Sequence, residues 1–134
     1  MIAVVQASTT SWSGGADLCM RPLSDGRPAV AHTVEQLSKV STVRVVAPTF
    51  DKDGLDFLYG CGADSIYYGD SLDPLRRIAK ACEDLSDREI ILRVNGLNWC
   101  ASLEADSLMR EVMVNGPGYW CAKFYDDWPA QFAF

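Results

Sequence analysis

The sequence predicts an α/β fold in which a doubly wound, mostly parallel sheet lies between two layers of helices. Short β-branched runs alternate with longer stretches of helical spacing along the chain. The first run, Ile2 to Val5, is entirely apolar, which is typical of a strand buried on both faces. A loop rich in Ser, Thr and Gly follows it directly. Strands that alternate with helices favour a parallel sheet in three α/β/α layers.

Each element is predicted from its own pattern. Apolar, β-branched runs predict strands at residues 2–5, 43–47, 65–68 and 89–94. Apolar residues at helical spacing, or early aspartates before such residues, predict helices at 28–40, 51–59, 72–84 and 102–114. The helix over 72–84 is expected to bury one face, formed by Leu75, Ile78, Ala79 and Cys82.

A few residues mark the ends of these elements. Pro28 suits the first turn of the first helix, and Pro48 should stop the second strand. Gly60 and Gly62 should end the helix over 51–59. Ser102 is expected to cap the last helix, without the glutamate that would complete a capping box.

The predicted strand order is 3-2-1-4, the common half of a doubly wound sheet with right-handed crossovers. In that order strands 1 and 4 are neighbours at the point where the winding reverses. A crevice opens there, outside the carboxyl ends of the strands. Residues 6–21 and 95–101 should line it.

Length and charge limit the classes of function. The 134 residues suit a single domain, with a core over 1–115 and an aromatic segment over 116–134. A net charge of −6 and the lack of a basic run argue against nucleic acid and anionic membranes as partners. No apolar run is long enough to span a bilayer, and no secretory signal is evident, so a cytoplasmic location is expected.

The cysteines indicate reduced and mostly buried thiols. Five cysteines are widely spaced, form no C-x-x-C pair and accompany a single histidine. Neither a disulfide framework nor a zinc site fits that pattern.

The last stretch, residues 116–134, departs from the alternating pattern because seven aromatic residues fall within it. We expect one strand at 119–124 followed by an aromatic tail. So many aromatic side chains require burial, either against the chain's own sheet or against a partner subunit or further domain. A homodimer through residues 119–134 is therefore expected.

Short motifs stand in order along most of the chain: IAVVQA at 2–7, RPL at 21–23, DGRP at 25–28, AHTVEQL at 31–37, GDSLDPLRR at 69–77 and RVNG at 93–96. This order resembles that of the cytidylyltransferases that make CMP-activated sugars, most closely the spore-coat-polysaccharide (SpsF-like) members. The corresponding family motifs are I-I-Q-A, K-P-L, G-x-P, E-H-V-I-E-R-L, G-x-x-x-D-V-L-x-R and R-I-T-G-D.

The resemblance implies a Rossmann-like nucleotidyltransferase fold that binds CTP and a sugar. In that family the sugar oxygen attacks the α-phosphorus and pyrophosphate leaves, which requires cations, backbone N–H groups and carboxylate-bound Mg²⁺ around the triphosphate. The nucleotide-binding candidates that follow from it are Gln6, Ala7, Ser8, Ser13, Gly14, Gly15, Arg21, Arg77, Arg93, Asn95, Gly96 and Asn98.

The departures from the family pattern fall on the chemistry. Small or acidic residues stand where the family has cations in the first loop: Ser8, Ser13, and Ala16 or Asp17. Leu97 occupies the place of the metal-binding aspartate, and a leucine cannot ligate Mg²⁺. The family's basic positions are matched only at Arg21, Arg77 and Arg93.

Three hypotheses follow. The first is a non-catalytic assembly or regulatory module in sugar or polysaccharide modification, with weak binding of CTP, CMP or a sugar. The second is a divergent CMP-sugar synthase that uses the three arginines, with Mg²⁺ on a relocated carboxylate such as Asp126 or Asp127. The third is an unrelated doubly wound domain with another ligand. Mg²⁺ is expected only if the chain is catalytic.

Structural roles compete with ligand roles at the candidate positions. Residues 8–15 fit a phosphate-cradling loop or a flexible turn, and residues 95–98 fit ligand contacts or a turn that ends a strand. Arg93 fits a buried ion pair or a phosphate contact. Arg77 is expected to be a solvated helix residue, and His32 a surface or packing residue rather than a catalytic base.

Overall fold

The computed structural model describes residues 1–116 and 118, and its sheet has four parallel strands in the order β3-β2-β1-β4. The strands are β1 (Ile2–Gln6), β2 (Thr42–Pro48), β3 (Ser65–Gly69) and β4 (Ile91–Asn95). The α/β class, the parallel pairing and the order 3-2-1-4 predicted from the sequence are confirmed.

Three α-helices surround the sheet: α1 (Ala29–Ser38), α2 (Pro74–Ala81) and α3 (Ala101–Asn115). Helices α1 and α3 contact each other on one face, whereas α2 packs against β2 and β3 on the other. This division follows from right-handed crossovers, because the chain moves towards β3 in one direction and towards β4 in the other. Pro28 stands at the N-cap of α1, just before its first turn.

The core lies between the sheet and the α1/α3 layer. Alternate strand residues point into it, and they meet one apolar stripe of α1. Its fully buried members include Ala3, Val5, Val43, Val45, Val30, Val34, Leu37, Leu55 and Leu58. Full burial of each Val or Leu side chain contributes roughly 1.5–3 kcal/mol, so this single cluster holds the sheet and both helices together.

The prediction of a helix over 51–59 is wrong. Two 3₁₀ turns stand there instead, Thr49–Asp51 and Asp56–Cys61. Asp53 adopts a positive φ of 66°, which interrupts a right-handed helix, and Gly54 N donates to Asp51 O at 2.7 Å. Gly62, at φ 107°, ends the second turn as predicted, whereas Gly60 lies inside that turn.

Helix α2 is shorter than predicted, and its expected buried face is wrong in part. Leu75 and Ala79 are exposed, and Ile78 and Cys82 are half-buried. Arg77, expected in solvent, is only 5% exposed because its stem packs beside Gly69, where a Cβ would lie 3.2 Å from the arginine Cγ. Helix α2 directs the methylene stem of Arg77 towards the sheet, and this stem makes apolar contacts there.

The predicted cap of α3 is also wrong. The helix begins at Ala101 with Cys100 at its N-cap, and no side chain caps it. Ser102 lies inside the first turn. Ala101 and Ala105 are buried against the core, so packing sets where this helix starts more strongly than the capping preference of serine does.

Four cysteines in the described region, Cys19, Cys61, Cys82 and Cys100, are free thiols as predicted. The expectation that most of them are buried is wrong, because only Cys19 is buried and the other three are half-buried. Cys121, the strand expected at 119–124 and the proposed dimer segment 119–134 lie outside the described residues. No helix among those described is long and apolar enough to cross a membrane.

Acid should destabilise the protein through carboxylates held in ion pairs. The Arg44 guanidinium bonds Asp84 at 2.6 and 2.8 Å and holds the pKa of that carboxyl below its ordinary value of 3.8. Arg27 likewise holds the pKa of Glu35 below 4.5. Because the folded pKa values are lower than the unfolded ones, the stabilisation is present above these ordinary values. It is lost as the pH falls through the lower folded values.

We therefore expect the urea midpoint to be highest near neutral pH. At pH values below 3.8, the ordinary pKa of aspartate, the midpoint should decrease. Asp84→Asn should flatten this acid dependence, whereas Asp87→Asn, at an exposed carboxylate nearby, should not. Urea unfolding of the three proteins between neutral and acid pH measures it. Equal acid dependence in both variants would contradict the role given to the Arg44 pair.

Candidate functional site

Strands β1 and β4 are neighbours, as predicted, and the loops that follow them approach each other closely at the carboxyl edge of the sheet. Gly96 N donates to Gln6 O at 2.8 Å, and Gly96 O accepts from the buried Thr33 hydroxyl at 2.8 Å. A Cβ on Gly96 would lie 3.1 Å from Gln6 O, 3.2 Å from Cys19 Cβ and 3.3 Å from the buried Ala7. Glycine is therefore required here for close approach of two backbones, which leaves no room for a ligand at this depth.

Loop 1, defined here as residues 7–28, begins as a small hairpin. Thr10 and Ala16 form an antiparallel bridge, Ser11 N donates to Gly15 O at 2.9 Å, and Asp17 N donates to Thr9 O at 3.0 Å. The apex is exposed and turns on two glycines with positive φ, Gly14 and Gly15. The candidates Ser13, Gly14 and Gly15 thus lie at the exposed tip of a hydrogen-bonded hairpin.

The base of loop 1 is bonded to Asp51, which follows β2. Ser8 Oγ donates to Asp51 Oδ2 at 2.7 Å, and Thr9 N donates to the same oxygen at 2.9 Å. The Thr9 hydroxyl donates to Asp51 Oδ1. Asp51 is only 4% exposed. The groups best suited to cradle a phosphate in this loop are therefore bonded to a carboxylate of the chain itself.

Sequence reasoning missed Asp51 as a site residue. Asp51 follows the second strand and Pro48 closely, and this position predicts a helix N-terminus, where aspartates are common. The contact joins residues more than 40 positions apart in the chain. Only the parallel pairing of β1 with β2, which brings their carboxyl ends to one edge, places them together.

The three matched arginines are not brought together. Arg93 is exposed on the sheet face opposite α1, and its Nη2 donates to Gln6 Oε1 at 3.2 Å; the buried ion pair expected as one alternative is wrong. Arg77 lies beside β3, at the far edge of the sheet, where its Nη1 donates to Asp70 O at 2.5 Å. Three strand spacings of about 4.8 Å separate the two edges. Arg21 is exposed on loop 1.

Burial affects the charge of Arg77. Removal from water lowers its pKa, while the carboxylates of Asp70, Asp51 and Asp73 favour its charged form. Its Nε has no hydrogen-bond partner within the described region. This arginine therefore acts as an internal countercharge beneath the loops rather than as an exposed phosphate contact.

The loop after β4, residues 96–100, is shaped by its own turn. Asn95 Oδ1 accepts from Leu97 N at 3.0 Å, and Leu97 packs against the core. Asn98 is 1% exposed, and neither amide atom finds a partner among the described residues. A buried amide without partners costs about 1–3 kcal/mol, so Asn98 is the group in this loop that most needs a water or ligand atom.

Other candidate chemistry in the crevice is weak. Within residues 1–116 and 118, no group of three or more His, Cys, Asp or Glu side chains is arranged to hold a metal ion. His32 pairs with Asp25 at 3.0 Å on the surface of α1, as expected of a structural histidine. Burial raises the pKa of the Cys19 thiol to about 12, which makes it a poor nucleophile. Asp126 and Asp127 lie outside the described residues.

Exposed apolar side chains on all four loops of the carboxyl edge were not anticipated from the sequence. Trp12 is 98% exposed at the tip of loop 1, and Leu72 is 94% exposed after β3. We call the full set the apolar rim: Trp12, Leu18, Phe50, Leu72 and Trp99. Thr49 Oγ1 donates to Gly69 O at 2.6 Å and so joins the segments that follow β2 and β3.

A separate cavity of about 600 Å³ lies at the opposite, amino-terminal edge of the sheet. Ile91 and Leu92 of β4 and Leu108, Met109 and Val112 of α3 form most of its wall. None of the sequence-predicted site residues lines it.

No protein-family model matches this chain, and no curated protein matches its sequence. The cytidylyltransferase resemblance therefore stays an expectation from the sequence. Evidence about function comes from the geometry of the carboxyl edge.

Gly96→Ala should destabilise the protein because the added methyl would crowd Gln6 O and the Cβ atoms of Cys19 and Ala7, and Gln6 cannot move away without straining its hydrogen bond with Gly96 N. We expect a loss of about 1–3 kcal/mol in the free energy of unfolding, measured by urea denaturation. Gly60→Ala is the matched control, because a Cβ there meets nothing within 4 Å. Its change should stay within about 0.5 kcal/mol. Similar losses in both variants would contradict the close packing at the crevice base.

Proposed function

We propose that this chain is a non-catalytic domain of the cytidylyltransferase type that serves as an assembly or regulatory module in sugar or polysaccharide modification. The observation that carries the proposal is the Asp51 carboxylate at the base of loop 1, bonded to Ser8 and Thr9. Loop 1 is where the resemblance would put the triphosphate.

Electrostatics favour this proposal over catalysis. A phosphate oxygen held about 4 Å from the Asp51 carboxylate would meet a repulsion of about 4 kcal/mol at an effective dielectric constant of about 20. A hydrogen bond to a charged group contributes only about 1.5–3 kcal/mol, and the donors at Ser8 and Thr9 are already engaged. The arginines that the family has at the positions of Ser8 and Ser13 would have offset the repulsion, and serines replace them.

The position of the metal ligand gives further support. Leu97 stands where the resemblance implies an aspartate, and its side chain packs against the hydrophobic core instead of entering the crevice. Mg²⁺ prefers carboxylate and water oxygens. The residue that would hold the metal has thus become part of the packing.

The apolar rim supports a role in assembly. Large exposed apolar areas on soluble proteins often mark an interaction site, and each loop of this edge carries at least one large exposed apolar side chain. Here they occupy the edge of the sheet at which α/β proteins usually bind ligands. We propose that this edge contacts another protein or domain. The free thiols fit a reducing compartment, so the proposed location is the cytoplasm.

Isothermal titration of the full chain with CTP and CMP, each with and without Mg²⁺, tests the proposal. We expect no saturable heat at micromolar nucleotide in any of the four titrations, because the loop donors are taken by Asp51. Micromolar binding that strengthens with Mg²⁺ would show that the loops still form a metal-nucleotide site, and would contradict the role given to Asp51 in closing it.

A second candidate function is a divergent CMP-sugar synthase, which is favoured by the exposed side chains of Arg21 and Arg93. It requires CTP-dependent release of pyrophosphate in the presence of Mg²⁺. Turnover that Arg21→Ala abolishes, and that a charge-preserving Arg21→Lys retains in part, would establish this alternative and reject the first.

We also propose that the chain forms a homodimer through residues 119–134, whose aromatic side chains need a large apolar contact. Light scattering at micromolar concentration should give twice the mass of the 14.7 kDa chain. A monomeric mass at that concentration would contradict the dimer.

A further inference from the structure

We propose that the hairpin of loop 1 is assembled around a bound carboxylate. Asp51 supplies that carboxylate from within the chain, and a small free carboxylate can take its place when the Asp51 side chain is removed. The inference deepens the proposed function, on which it rests, because loop 1 carries Trp12 of the apolar rim. Asp51 would then control how the rim is presented to a partner.

The contacts have the form of a built anion site. One backbone N–H and two hydroxyls, from Thr9 and Ser8, converge on the two oxygens of a single carboxylate. Ser8 Oγ also lies 2.8 Å from Thr10 O and 3.3 Å from Thr10 N, so its position is fixed by the hairpin as well as by Asp51. Convergent N–H and O–H donors of this kind recognise anions in preference to neutral groups.

A buried cation provides a second and independent observation. Arg77 is 5% exposed and keeps an unpartnered Nε, and its charge is favoured by the carboxylate of Asp51. A buried arginine requires compensation for its lost hydration, and nearby negative charge supplies it. The Asp51 carboxylate thus accepts the loop donors and also favours the charge of Arg77.

The hairpin depends on this anion for its order. The bond from Asp17 N to Thr9 O joins the base of the hairpin, directly next to the Thr9 N–H that Asp51 holds. Among residues 7–18 no large side chain is buried, so packing contributes little to fixing this segment. Polar contacts at the base must therefore hold Trp12 in place.

The test is chemical rescue of Asp51→Ala, followed by amide hydrogen exchange. In sodium chloride we expect the amides of Ser11 and Asp17, which close the hairpin, to exchange at least about tenfold faster than in the wild type, while core amides such as Val45 stay protected. Sodium formate at about 0.1 M, the same ionic strength as the chloride, should restore most of the protection. Formate should leave the wild type unchanged.

Asp53→Asn is the matched control, because it removes an exposed carboxylate two residues away and asparagine tolerates the positive φ at that position. It should exchange like the wild type in both salts. Faster exchange in Asp51→Ala that formate does not restore, or restoration equally by chloride, would overturn the inference. That outcome leaves the nucleotide titrations, and hence the proposed function, unaffected.

Asp51→Asn keeps the test decisive if the alanine variant fails to fold. The amide has the same shape and one acceptor oxygen but no charge. We expect the Thr9 amide to exchange about tenfold faster in this variant than in Asp53→Asn, because a neutral acceptor forms a weaker bond. Equal exchange would show that the loop needs only a hydrogen-bond acceptor, and would overturn the inference.

Discussion

The central position of β1 is the constraint on which the rest of the structure depends. It pairs in parallel with β2 on one side and β4 on the other, and its interior residues are fully buried. The register aligns Gln6 with Asn95, so β1 and β4 end at the same level, whereas β2 continues past Val46 to Pro48. Every loop that could bind a ligand is therefore attached to one edge, and loop 1 stands in the middle of it.

At that edge the polar groups of the chain bind one another. The Asp51 carboxylate accepts hydrogen bonds from Ser8 and Thr9. Arg93 donates to the side-chain amide oxygen of Gln6, and Arg77 donates to the backbone carbonyl of Asp70. Ser8, Gln6, Arg77 and Arg93, which the resemblance would assign to nucleotide binding, are each engaged in one of these contacts. Internal hydrogen bonds stabilise the loops, but they leave few strong donors for a phosphate. An edge whose loop 1 donors are engaged by Asp51 and whose exposed side chains are apolar is better suited to a protein partner than to a triphosphate.

The two faces of the sheet are covered unequally. Helices α1 and α3 bury one face completely near its centre, whereas α2 covers only β2 and β3 on the other. Arg93 and Ile91 of β4 are left exposed on that second face. The carboxyl edge and this open part of the sheet adjoin at Gln6 and Asn95, so the exposed surface is concentrated on the β1 and β4 side of the molecule.

The sequence by itself determined the α/β class, the four strands and their order, because short β-branched runs, helical spacing and right-handed crossovers are local or general rules. It also identified the two loops, residues 6–21 and 95–101, that follow the neighbouring strands β1 and β4. Tertiary structure decided the rest. Packing at Ala101 and Ala105 overrode the Ser102 cap, and the stem of Arg77 displaced Leu75 from the sheet. The positive φ of Asp53 replaced a helix by two turns. The Asp51 contact with loop 1 joins distant residues through strand pairing, and no local pattern carries that information.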